Sequence, residues 1–130
     1  MADPGTDHTT KPSPWPVGET VERALALLDE RGIRVFATID QRAAARAAGL
    51  DLRETVLILF GNPQAGTPVM DAVPLAALDL PLKLLVWSEE GRTRVSYLRP
   101  AALAARHAIP PSLAAPLGAI DQLTDALLAR

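Results

Sequence analysis

The sequence predicts an α+β fold with two layers, in which helices pack on one face of a mainly antiparallel sheet. A length of 130 residues fits one domain. Helical apolar stripes alternate along the chain with short runs that are typical of strands. A turn at residues 89–91 joins two of these runs as a hairpin, which favours antiparallel pairing. With helices on one face only, the other face of the sheet is free to remain open. The chain divides into a flexible, proline-rich arm over residues 1–16 and a single domain over residues 17–130.

The first helix is predicted from Val17 to Arg31, and Gly32 supplies the left-handed residue that ends it. Its apolar stripe is formed by Val21, Ala24, Leu25 and Leu28. A strand over residues 33–40 follows, since apolar side chains alternate there with others. The apolar positions expected on one face of that strand are Ile33, Val35, Ala37 and Ile39. Asp40 is then placed to cap a short helix that ends before Gly49.

The run from Thr55 to Phe60 is apolar without alternation, which predicts a central strand or one covered on both faces. Truncation of Leu59 to alanine should then cost about 2–5 kcal/mol of stability, as in a buried core. Further along, Thr67 and Pro68 have the residue types of an N-cap and a first helical position. The sequence therefore predicts that a short helix begins at Thr67.

The second half of the chain predicts a hairpin followed by helices. Its strands are expected at residues 82–88 and 93–98, with Thr93, Val95 and Tyr97 facing one way and Arg94 and Ser96 the other. A helix should run from Pro100 to about His107, and Pro116 should begin the last helix. The apolar stripe of that helix is Ile120, Leu123 and Leu127, flanked by Thr124 and Leu128.

Composition and charge exclude several classes of function. A net charge of −2 and an aromatic content of 4% argue against nucleic-acid binding, which needs basic and stacking side chains. The absence of cysteine excludes disulfides, thiolate catalysis and thiolate-bound metals. His8 and His107 have no metal-site spacing, so neither a metal nor a cofactor is expected. No apolar stretch of membrane-spanning length and no secretory signal occur, so we expect a cytoplasmic protein without membrane contact.

The most distinctive segment runs from Gly61 to Pro68. Two glycines five apart and a threonine resemble a phosphate-binding P-loop, but the P-loop lysine is missing and Pro68 lacks a backbone donor, which excludes a nucleotide triphosphate. A weaker site remains, in which N–H groups near Gly66 and Thr67 hold a carboxylate or phosphate at a helix end. The alternative is a tight connection in which Asn62 folds onto its own backbone and Gly66 takes a positive φ.

Lys83 lies in an apolar predicted strand, so its ammonium must reach solvent or a polar cavity. It would act either as an anion clamp opposite Thr67 or as a sheet-surface lysine that discourages edge pairing. The candidate ligand-binding residues are therefore Asn62, Gly66, Thr67 and Lys83. No nucleophile–base or metal spacing occurs, so no catalytic residue is assigned.

Several segments, in this order, resemble the domain-of-unknown-function family 302. They are Gly61-Asn62-Pro63 with Gly66-Thr67-Pro68, the run Leu-Asp-Leu-Pro-Leu-Lys at residues 78–83, and Val95-Ser96-Tyr97. The resemblance covers about residues 17–107 and implies a β-α-β-type domain of bacteria and archaea that forms homodimers and has no established activity. Relatives begin with a first strand, for which this chain offers only residues 8–13.

These observations together predict a non-enzymatic, homodimeric binding module for a small ligand, which could be anionic. Two alternatives stay open. One is an enzyme that uses Asp40, Asp79 or Lys83 for acid–base chemistry, and the other is a domain that acts through protein contacts alone.

Overall fold

The computed structural model describes residues 7–130. Within that range the strands are β1 (His8–Pro12), β2 (Arg34–Asp40), β3 (Thr55–Gly61), β4 (Leu82–Glu89) and β5 (Arg92–Leu98). The helices are α1 (Val17–Glu30), α2 (Gln41–Ala47), α3 (Pro63–Ala72), α4 (Pro100–His107), α5 (Pro111–Ala114) and α6 (Ala119–Leu128). The strands form one sheet in the order β1-β5-β4-β3-β2, in which all neighbours are antiparallel. The predicted α+β class is confirmed.

The main core lies between one face of the sheet and the two long amphipathic helices, α1 and α6. Helix α1 contributes Ala24 and Leu28 from the predicted stripe, and α6 contributes a second stripe. Alternate residues of the strands meet them, because successive side chains of a strand point to opposite faces. The buried strand residues of this core are Ile58, Phe60, Leu84, Val86, Val95 and Tyr97.

A second, smaller core lies at the end of the sheet where β4 begins and β5 ends. It joins α3, α4 and the short 3₁₀ turns at Pro74–Leu78 and Ala115–Gly118. Leu82 and Leu98 pack against it from the sheet. Its buried members are Val69, Ala76, Leu103, Ile109 and Leu117.

Residues 8–12, expected to belong to a flexible arm, instead form the edge strand β1, which pairs with β5. Lys11 fastens this strand to α6, because its Nζ donates to Thr124 Oγ1 at 2.7 Å and to Asp125 Oδ1 at 2.8 Å. Burial alone lowers the pKa of Lys11, but hydrogen bonds to Asp125 and Tyr97 outweigh it and leave that pKa raised. The polar segment has no apolar periodicity, so the strand depends on partners that are distant in sequence. The rest of the predicted arm, residues 1–6, lies outside the described residues.

Strand β2 contains a bulge that the alternation pattern did not predict. Val35 pairs with Phe60, whereas the next paired residue, Ala37, lies opposite Leu59. The extra residue between them shifts the phase of the strand, so Ala37 and Ile39 lie on the face opposite to Val35. The expectation that these apolar residues share one face is therefore wrong.

The N-cap of helix α3 lies five residues earlier than predicted. Asn62 is the N-cap, and its side-chain oxygen accepts from Gln64 N at 3.0 Å. Pro63 takes the first helical position, and Thr67 and Pro68 lie inside the helix. Both Asn-Pro and Thr-Pro suit a helix start. The earlier one is used, which builds a helix that buries Val69 in the second core.

Other predicted ends of elements are confirmed. Gly32 has φ +68°, Asp40 caps α2 by accepting from Ala43 N at 2.9 Å, and the hairpin turns at Glu90 and Gly91, with φ +52° and +80°. The last helix differs from the prediction. Pro116 lies in the 3₁₀ turn, and α6 begins at Ala119.

Candidate functional site

The sheet face opposite the main core is called the open face here. It carries Leu57 and Leu59 from β3 and Lys83, Leu85 and Trp87 from β4; in the register, Leu57 lies opposite Leu85 and Leu59 opposite Lys83. The three leucines and Trp87 are half-buried, and Lys83 is exposed. None of them belongs to either core cluster. The sheet thus has an apolar surface that α1 and α6 leave uncovered.

A cleft of about 480 Å³ includes much of this face. Its wall includes Leu57, Lys83, Leu85 and Trp87, and Asp79 and Arg106 also line it. Ligand clefts of small molecules fall in the range of about 300–1,000 Å³ and are mostly apolar with a few polar groups. The size and lining of this cleft fit that description.

Three polar side chains on the β5 side of the cleft, those of Trp87, Ser96 and Thr10, are hydrogen-bonded to one another. Trp87 Nε1 donates to Ser96 Oγ at 2.9 Å. The hydroxyls of Ser96 and Thr10 lie 2.8 Å apart, and the register places these residues opposite each other on β5 and β1. These hydrogen bonds fix the indole ring of Trp87 on the cleft wall.

Asp79 is held by two side chains from α4, Arg106 and His107. Its Oδ2 lies 2.6 Å from His107 Nε2 and 3.1 Å from Arg106 Nη1, while its Oδ1 lies 3.2 Å from the same Nη1. The hydrogen bond from His107 lowers the pKa of Asp79; burial opposes this shift, and Arg106 adds to it. The carboxyl is therefore ionised at neutral pH and already paired.

Of the four candidate ligand-binding residues, only Lys83 lines the cleft. Asn62 caps α3, and Gly66 and Thr67 lie within that helix. The backbone N–H of Gly66 donates to the carbonyl of Asn62 at 2.9 Å, so this group is not free to bind an anion. Gly66 is not among the glycines with positive φ, so that part of the alternative is wrong, whereas Asn62 does fold onto its own backbone by accepting from Gln64 N.

The structure also separates the residues considered for acid–base chemistry. Asp79 and Lys83 line the same cleft, whereas Asp40 does not line it and caps α2. Lys83 lies on β4, between β5 and β3, so protection of a sheet edge does not explain it. No three His, Asp or Glu side chains within residues 7–130 are grouped so that they could hold a metal ion.

Sequence reasoning missed Trp87, Ser96 and Arg106 as cleft residues. Alternation placed Ser96 on the outward face, and the same rule applied to β4 would have placed Trp87 on the face of Lys83. The missing information was the register between strands, which brings Ser96 opposite Leu85. No local sequence pattern pointed to Arg106, because its place in the cleft depends on its contact with Asp79, which is distant in sequence.

The structure is that of a small α+β domain in which α1 and α6 cover one face of the sheet and a cleft includes part of the other face. The chain belongs to the family described as "Domain of unknown function DUF302", which matches residues 9–127. It is also similar to the crystal structure of the uncharacterized conserved protein DUF302 from Bacillus stearothermophilus, with a TM-score of 0.80 and 27% sequence identity. That similarity covers 95% of this chain and 96% of the other.

Similar proteins include some whose names refer to fluoride. The chain is 43% identical over 94 residues, 72% of its length, to "Fluoride-specific ion channel FluC 1" of Brucella suis and of Brucella abortus. The match covers 37% and 35% of those proteins, so the chain spans little more than a third of their length. Within residues 7–130, every helix is too short or too polar to cross a membrane.

Proposed function

We propose that the protein is a cytoplasmic, homodimeric and non-enzymatic module that binds a small anionic ligand in the cleft. The observation that carries the proposal is Lys83. Its side chain is exposed on the cleft wall, between leucines, and it forms no ion pair with any residue in the range 7–130. An apolar cleft with one unpaired cation is suited to a ligand that carries the opposite charge.

The acid–base alternative is less well supported. A general base works best when its pKa lies near the working pH. The pKa of Asp79 is instead lowered by its hydrogen bond with His107 and by Arg106, against the effect of burial. Asp40 caps a helix outside the cleft. The one carboxylate in the cleft is therefore that of Asp79, which is a weak base.

The β2 edge of the sheet supports the homodimer. Phe36 is 46% exposed and Ile39 37% exposed on β2, and Leu52, in the loop between α2 and β3, is 40% exposed. An exposed apolar edge strand is a surface on which a second strand can pair. Pairing of two copies along β2 would leave the cleft accessible, because no β2 residue lines it.

Sedimentation velocity tests the dimer. Phe36→Lys should convert a dimer into a monomer, because it puts a charge into the apolar edge. Leu78→Lys is the matched control, since Leu78 is 76% exposed and lies on the 3₁₀ turn. A wild-type monomer, or a dimer that both variants retain, would contradict pairing along β2.

Native mass spectrometry of the freshly purified protein tests the ligand. We expect a retained non-protein mass that is lost in Leu85→Trp, which adds bulk to the cleft wall, and kept in Leu50→Trp, which alters an exposed loop residue. A retained mass that Leu85→Trp leaves unchanged would place the ligand elsewhere. An empty protein whose tryptophan emission is also unaffected by added organic anions would contradict the proposal.

A second candidate function follows from the relatives. The chain would act together with a fluoride-transporting membrane protein, because 43% identity over 94 residues links it to proteins that are named as fluoride-specific ion channels. Deletion of the gene in the source organism should then increase sensitivity to sodium fluoride but not to sodium chloride, and a plasmid copy should reverse the effect. Equal fluoride tolerance in the two strains would contradict this candidate.

A further inference from the structure

The cleft has an apolar stretch whose polar atoms need no ligand. Leu57 and Leu85 lie side by side across β3 and β4, and Trp87 is the next residue on the same face of β4. The indole N–H of Trp87 donates a hydrogen bond to the hydroxyl of Ser96, which is also hydrogen-bonded to the hydroxyl of Thr10. A ligand that covers this stretch gains by burying apolar surface and has no free donor to satisfy.

Basic side chains outnumber acidic ones in the cleft. Lys83, Arg106 and His8 line it with basic side chains, whereas Asp79 is its one acidic residue. Asp79 is already paired with Arg106 and with His107, which leaves the ammonium of Lys83 as the available charge. The complementary group on a ligand is therefore negative.

From the combination of an apolar stretch and a cationic group, we infer that the ligand is an amphipathic organic anion. Its carboxylate, or a comparable head group, binds the ammonium of Lys83, and its hydrocarbon body lies along Leu57, Leu85 and Trp87. This inference rests on the proposed binding function and specifies the chemical class of the ligand. An inorganic anion would meet Lys83 but leave the leucines uncovered, so it would bind more weakly than an anion with an apolar body.

Decanoate is the probe, because it joins a carboxylate to an apolar chain. The chain has two tryptophans, so Trp15→Phe leaves Trp87 as the single tryptophan reporter on the cleft wall. We expect decanoate to change the Trp87 emission saturably. Decanol, which has the same body without the charge, should bind about tenfold more weakly, and so should acetate, which has the charge without the body.

Charge variants test the head-group contact. Lys83→Met keeps most of the aliphatic stem and should weaken decanoate about tenfold while leaving decanol unchanged. Lys83→Arg should restore the difference between the two probes. Arg53→Met is the matched control, because it removes a cation from an exposed loop outside the cleft, and it should leave both affinities at the wild-type value.

The outcomes separate the two proposals. Equal affinity for decanoate and decanol, or a full response in Lys83→Met, would overturn the amphipathic anion while leaving a cleft that binds apolar ligands. No Trp87 response to decanoate, decanol or acetate would contradict the cleft as a binding site, and with it both proposals. Equal binding of acetate and decanoate would overturn the role of the apolar stretch.

Discussion

Truncation of two adjacent residues of β3 should separate the two faces of the sheet. Ile58 is fully buried in the main core, whereas Leu59 is half-buried on the open face. Replacement by alanine removes the same number of carbon atoms from each side chain. For Ile58→Ala the lost transfer free energy is about 2.4 kcal/mol, and the cavity left in the core raises the total to about 3–4 kcal/mol.

Leu59→Ala should cost only about 1 kcal/mol, because its side chain is partly solvated in the folded state and no cavity closes over it. The sequence alone predicted a core-like cost of about 2–5 kcal/mol at this position. Urea unfolding of the wild type and both variants measures the difference, provided that the denaturant slope stays constant. Several protein concentrations are needed, since dimer formation contributes to the apparent stability.

Equal costs for Ile58→Ala and Leu59→Ala at every protein concentration would refute the assignment of the two faces. A cost for Leu59→Ala that grows with protein concentration would mean that a second copy covers the open face, against pairing along β2. Only a large, concentration-independent difference between the variants agrees with an uncovered face.

Three further changes have expected outcomes. Asp79→Asn should lower the free energy of unfolding at neutral pH. The difference in this free energy between the variant and the wild type should shrink as pH falls from about 3.8 through the lowered pKa of Asp79, because protonation of the folded carboxyl removes its contribution. A difference that widens in acid would contradict the pairing with His107. Glu90→Asn should raise stability by about 0.5–1 kcal/mol in thermal or urea unfolding, since both residues of the hairpin turn have positive φ and asparagine tolerates that conformation; a loss of stability would refute it. Lys11→Met should cost about 1 kcal/mol and speed hydrogen exchange in β1, and unchanged exchange would mean that the contacts with α6 do not hold this strand.

Local signals in the sequence were sufficient for most elements. The stripes of α1 and α6, the Asp40 cap and the turn at Glu90 depend on residues that are close in sequence, so pattern and propensity could predict them. Periodicity could not predict strand β1, because it consists of four polar residues and a proline and its stability comes from β5 and α6. Only the family resemblance pointed to a strand in this segment.

The predictions of where α3 begins and of which residues of β2 share a face were wrong for a related reason. Asn62 and Thr67 are both followed by proline, so local chemistry allowed either start, and the tertiary contacts of Val69 lie beyond the reach of that pattern. The bulge after Val35 has no glycine or proline to mark it. The cleft required the most non-local information, since it depends on which residues of β3, β4 and β5 lie opposite one another.

One substitution can distinguish two possible roles of Lys83. A lysine in the middle of an apolar sheet face can keep that face from associating with other copies, because burial of its ammonium would be costly. It can also bind an anion that lies on the leucines beside it. Lys83→Met should increase self-association and leave decanoate affinity unchanged in the first case. In the second, affinity should fall while the sedimentation coefficient stays constant. The shortage of acidic groups in the cleft favours the second role, since protection against association requires a charge of either sign, whereas binding of an anion requires a positive one.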